Sequence, residues 1–176
     1  NIFVASRMHT VYLCNFNLKN AEKTGGKDRA TKQKIEALER QSSKFRAFYL
    51  TKGGDAYNIL MSFWLDINCA VYIALNRPDF FISRGAVGYF SLVAAKIFGT
   101  ISVREIHAVA SSEIALLPFG RIKKLLLAFY FKIFNQIDML ADVRIFNHPF
   151  LLEHYQKLNK VKKGDFYCYN GYSPAG

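Results

Sequence analysis

The chain is 176 residues long, which suits one domain with a substantial core. Hydrophobic residues make up 51%, aromatics 15% and charged residues 21%, and this composition excludes a disordered polar chain. Lys and Arg number 24 against 13 Asp and Glu, a formal charge of +11 that favours an anionic partner: a phosphate ester, nucleic acid or an anionic membrane surface.

Taken in chain order, Asn1 to Arg7 lacks the charged and apolar regions of a signal peptide, and Met8 is a candidate start, with residues 1–7 then an added or upstream remnant. Thr10 to Cys14 reads as a buried strand, followed by a polar loop holding Gly25 and Gly26. A helix runs from about Asp28, its candidate N-cap, to Arg40, with Ile35 and Leu38 as an inward stripe. Phe45 to Leu50 is a second strand, closed by Gly53-Gly54, and Tyr57 to Asn76 reads as a buried helix. Its apolar run from Leu60 to Leu75 is interrupted by Asp66 and Asn68 and falls short of a membrane span.

Asp79 to Ser83 is a third strand ending at Arg84-Gly85, and a helix from Tyr89 to Phe98 stops at Gly99, a C-terminal glycine signal. Ile101 to His107 is a fourth strand. Gly120 to Leu140 is a long helix with Ile122, Leu125, Leu126, Phe129, Ile133 and Ile137 at helical spacing. Its first turn is basic. Docking on a membrane surface is one reading, but a core helix with a solvated basic first turn is the preferred one. Ala141 to Phe146, a short helix over about Pro149 to Leu158, and a strand over Asp165 to Tyr169 complete the pattern. Strict alternation of strand and helix predicts an α/β fold, a parallel sheet with helices on both faces.

Cys14, Cys69 and Cys168 lie in apolar runs, odd in number and without zinc-site spacing, so buried thiols in a reducing, cytoplasmic compartment are expected. His9, His148 and His154 show no ligand spacing with a carboxylate, and no metal is expected. Aromatic residues sit in apolar runs rather than between Lys and Arg, which argues against nucleic acid.

In a parallel α/β sheet ligands bind beyond the carboxyl ends of the strands. That rule selects three loops. Gly25-Gly26 precedes a helix N-terminus, where backbone amides can approach a phosphate with Lys27 and Arg29 beside them; a flexible turn is the plain alternative. Arg84 is placed to hold a phosphate or carboxylate, or else to pair with Asp79 or Glu105. His107, on the strand face of Val103 and Glu105, can bond a sugar hydroxyl or shuttle a proton, unless a nearby carbonyl satisfies it. Glu113 can orient a hydroxyl or cap the next helix.

These landmarks in order resemble the N-terminal domain of GT-B fold glycosyltransferases of the retaining family 4 type. The matching pieces are the glycine loop, Pro78 to Gly85, Val103 to His107 with Glu113 behind it, the "aDxvi"-like strand Ala141 to Phe146, and the "xNGvd"-like link Tyr169 to Tyr172. The resemblance implies a Rossmann-like domain over residues 8–171, with 172–176 opening a linker to an absent C-terminal nucleotide-sugar domain. It implies retaining transfer from a nucleotide-sugar to a glycan or lipid-linked acceptor, with no metal or other cofactor; the basic apolar helix and the net charge, read by themselves, leave room for peripheral contact at the inner membrane face. His107 would then contact the donor sugar, the glycine loop would near the donor diphosphate, and the domain without its partner would be inactive. A non-enzymatic flavodoxin-like module that binds an anionic ligand is the alternative.

Overall fold

The computed structural model describes residues 8–17, 33, 35–40, 42–50, 55–84, 87–106, 120–158 and 160–168. Six strands form one parallel sheet: β1 (Thr10–Asn17), β2 (Phe45–Leu50), β3 (Phe80–Arg84), β4 (Ile101–Ile106), β5 (Val143–Phe146) and β6 (Asp165–Tyr167). The described helices between them are α1 over residues 35–40, α2 (Asp55–Asn76), α3 (Tyr89–Phe98), α4 (Arg121–Asp138) and α5 (Pro149–Lys157). The strand order β2-β1-β3-β4-β5-β6 makes this a Rossmann-like α/β fold.

The order explains the layers. The step from β1 to β2 runs one way across the sheet, and every later step runs the other way. Right-handed crossovers therefore put α1 on one face and the later helices on the opposite face. On the first face Ile35 of α1 packs with Cys14 and Phe45. On the second, Val11, Leu13 and Phe81 of the sheet meet Cys69 and Ile73 of α2 and Leu92 and Ala95 of α3. Burying side chains of this size contributes roughly 1.5–3 kcal/mol each. A smaller cluster of Ile106, Phe146, Leu151 and Tyr155 seats α5. The change of direction leaves a topological switch point between β1 and β3.

Asp66, which interrupts the apolar run of α2, has a structural task. Gly88, at the N-cap of α3, has no side chain to satisfy the first amides of that helix. The Asp66 carboxylate accepts instead from the backbone N–H groups of Phe90, at 3.1 Å, and Ser91, at 3.0 Å, and from Ser91 Oγ at 2.6 Å. One helix thereby caps the next. Gly99 closes α3 in the left-handed conformation with its N–H on Ala95, as the sequence indicates.

Two expectations about helices need correction. α2 is not buried all round, since Trp64, Val71 and Leu75 face outward while Cys69 and Ile73 face the sheet. In α4, Ile122, Leu125 and Phe129 are exposed rather than part of an inward stripe, while Ile137 packs against the core and Asp138 is buried; the side chains of Leu126 and Ile133 lie outside the described ones. Helical spacing marks a stripe, but not what the stripe faces. The cysteines divide as well: Cys14 and Cys69 are buried, whereas Cys168 is exposed.

Four strands start where the sequence places them, but β3 and β5 start a residue or two later than the apolar runs suggest. Asp79 forms a turn, accepting the His9 N–H on its carboxylate at 2.9 Å and donating its own N–H to the His9 carbonyl, so β3 begins at Phe80. β5 begins at Val143 because Asp142 is bonded through its side chain to Ser102.

Candidate functional site

Parallel register aligns the carboxyl ends of the central strands. Cys14 of β1 lies opposite Arg84 of β3, and Arg84 lies opposite Glu105 of β4. Paired residues of neighbouring strands share a face, so these three side chains stand in a row at the ligand-binding edge. The row begins at the β1/β3 switch point, the place where folds of this order take their ligands. Two residues earlier on the same face, Tyr12 lies opposite Ile82.

Arg84 Nε stands 3.8 Å from Glu105 Oε2, with the two side chains 32% and 25% exposed. At that length and exposure the ion pair adds little to stability, about 0–1 kcal/mol. The pairing holds the guanidinium in place without neutralising its whole fork of donors. The Tyr12 phenol lies within the electrostatic reach of Arg84. Burial pushes the Tyr12 phenol above its ordinary range; the Glu105 carboxylate and Cys14 push the same way, and Arg84 opposes them. Tyr12 therefore stays neutral at physiological pH and adds no charge beside Arg84. The edge thus presents a fixed cation able to hold a phosphate or carboxylate, beside a carboxylate able to accept from a hydroxyl.

Of the residues that the sequence singles out, the structure brings Arg84 and Glu105 together. Asp79 is committed to His9 instead. Gly25, Gly26, Lys27, Arg29, His107 and Glu113 lie outside the described residues. Tyr12 went unnoticed in the sequence, though period-two spacing from Cys14 was the signal that could have found it. Among the described residues no group of three or more His, Cys, Asp or Glu is placed to hold a metal ion. His9 Nε2 lies 3.1 Å from the Tyr72 hydroxyl, and His148 caps α5 by accepting the Phe150 N–H.

The other charged residues of the sheet are structural. Arg104, also within the Val103–His107 segment, points to the opposite face. It donates to Ser83 Oγ at 3.2 Å and to the Val87 carbonyl, pairs with Asp138 at 2.9 Å, and lies 5.0 Å from the Tyr89 ring. It ties the entry of α3 to the end of α4. No protein-family model matches this chain, and no curated protein sequence matches it.

Proposed function

We propose that this chain is the acceptor-side domain of a retaining glycosyltransferase, moving a sugar from a nucleotide-sugar donor to a glycan or lipid-linked acceptor. The supporting observation is Arg84, a cation paired with Glu105 and set beside the neutral Tyr12 at the carboxyl edge of the sheet, next to the switch point. The family resemblance of the sequence supplies the reaction class. Breaking a bond between a sugar and a diphosphate builds negative charge on the leaving group, and a preorganised cation lowers the cost of that charge. In this reading Gly25, Gly26, Lys27 and Arg29 approach the diphosphate, His107 contacts the donor sugar, and Glu113 orients the acceptor. The nucleotide itself is held by a second domain.

Calorimetric titration with a nucleoside diphosphate sugar and with a polyprenyl diphosphate analogue tests the reading. At least one diphosphate ligand binds, its dephosphorylated counterpart does not, and Arg84→Gln weakens binding about tenfold, the loss of one charge-assisted hydrogen bond. Equal affinity in the Arg84→Gln protein would remove the site from this edge. Binding of phosphate alone, indifferent to any sugar or lipid attached, would favour the plain anion-binding module. In the presence of the nucleotide-sugar domain, His107→Ala cuts turnover about a hundredfold, the usual weight of one acid–base group.

A further inference from the structure

We infer that the outer face of α4 docks on an anionic lipid bilayer. Ile122, Leu125 and Phe129 follow one another at intervals of three and four residues, and are 79%, 72% and 62% exposed. Single exposed apolar side chains are ordinary, but three large ones in a row on one helix face are not. Arg121 and Lys132 are exposed on the same arc, beside the stripe rather than behind it, and Lys124 borders it. Before Asp138, at its last residue, the sequence of α4 contains no acidic residue.

The local design of the helix points the same way. Its N-cap, Gly120, offers no side-chain hydrogen bond, and the first turn holds no acid. Arg121 and Lys124 instead place positive charge at the end where the helix dipole disfavours it. These features weaken the helix in isolation. Against a bilayer each has a use: the apolar stripe enters the headgroup boundary, and the long cationic side chains reach the anionic headgroups. Charge decides the occupant. A second copy would bring the same basic face against itself, whereas an anionic surface complements both this helix and the +11 chain. No described helix is long and apolar enough to cross a membrane, so the contact is one of docking along the surface. The inference does not depend on the reaction proposed above.

Co-sedimentation with phosphatidylcholine vesicles, with and without phosphatidylglycerol, tests it. The protein binds the anionic vesicles, and added salt releases it. Joint substitution of Ile122→Ser, Leu125→Ser and Phe129→Ser lowers the bound fraction at least tenfold while leaving the circular dichroism spectrum unchanged, because all three side chains are exposed. Joint Arg121→Glu and Lys132→Glu weakens binding about fivefold or more per position on anionic vesicles only. A second measurement does not depend on loss of function: Leu125→Trp in a Trp64→Phe background shifts its emission to the blue on anionic vesicles. Failure of the wild-type protein to sediment at low salt would overturn the proposal, as would undiminished binding of the triple variant. So would a wild-type dimer that the triple variant dissociates while neither protein binds vesicles, which would assign the face to a second copy.

Discussion

The Asp142 carboxylate accepts from the Ser102 N–H at 2.9 Å, from Ser102 Oγ at 2.8 Å and from Lys96 Nζ at 3.2 Å. It joins the start of β4 to the approach to β5, at the end of the sheet away from Arg84. Burial alone would raise its pKa, but the Ser102 backbone and hydroxyl and Lys96 outweigh burial, so it titrates below the usual carboxylate range. A carboxyl held low in the fold adds stability above its unfolded pKa of about 3.9, and that contribution disappears as pH falls through the lowered value. Asp142→Asn is therefore expected to lower stability by about 1–2 kcal/mol at neutral pH, after allowance for its partial exposure. Urea unfolding at a series of pH values should show the gap to wild type closing below about pH 4. Thiols give a second test at this scale. Burial pushes the Cys69 thiol up to about 12, with a hydrogen bond from Ser91 opposing and Asp66 assisting. In Ellman's assay at neutral pH only the exposed Cys168 should react promptly, with Cys14 and Cys69 joining after denaturation.

Among the elements, the approach to α3 is the most constrained. Gly88 has φ of 94°, and a Cβ there would come within 2.7 Å of Ser83 Cβ. Gly88→Ala should therefore cost about 2 kcal/mol or more from strain and collision together. Gly99 has φ of 75° but nothing within 4 Å of a Cβ, so Gly99→Ala should cost about 1 kcal/mol, from backbone conformation alone. Paired denaturation midpoints check the ordering, and equal losses would remove the steric part. Gly99 was legible from its place after the last apolar residue of the helix. Gly88 was not, because its need arises from β3, which packs beneath it. The same division runs through the candidate site. Arg84 and its pairing with Glu105 could be read from strand ends and period two. Tyr12, an ordinary apolar strand residue in the sequence, joins them only through register across β1 and β3. The orientation of α4 was illegible for a related reason: its spacing is equally compatible with an apolar stripe turned inward or outward.

At the scale of the whole molecule, the sheet must hold its last strand with little apolar packing. β6 is three residues long, and Phe166 and Tyr167 are exposed. The link to β5 is electrostatic. Arg144 and Asp165 have fully buried side chains, with Nε donating to Oδ1 at 2.9 Å and Nη2 donating to Oδ2 and to the Lys160 carbonyl. The Lys162 N–H adds a bond to Oδ2 at 2.8 Å, and the rings of Phe146 and Tyr155 lie 5.5 and 5.6 Å from the guanidinium. Gly164 allows the turn into β6 to pass against β5, since a Cβ there would stand 2.3 Å from the Asp142 carbonyl. A buried pair of this kind contributes modest net stability, because desolvation of both charges offsets their attraction. Removing one member is different, for it leaves the other charge buried without its counterion. Asp165→Ala should therefore cost about 3–5 kcal/mol, while joint Arg144→Met and Asp165→Leu should recover most of that loss. Hydrogen exchange locates the effect. In Asp165→Ala the amides of β5 and β6 should lose protection before those of β1 and β3, whose packing lies in the separate cluster around Phe81 and Ile73. A uniform loss across the sheet would mean instead that the ion pair supports the fold as one cooperative unit.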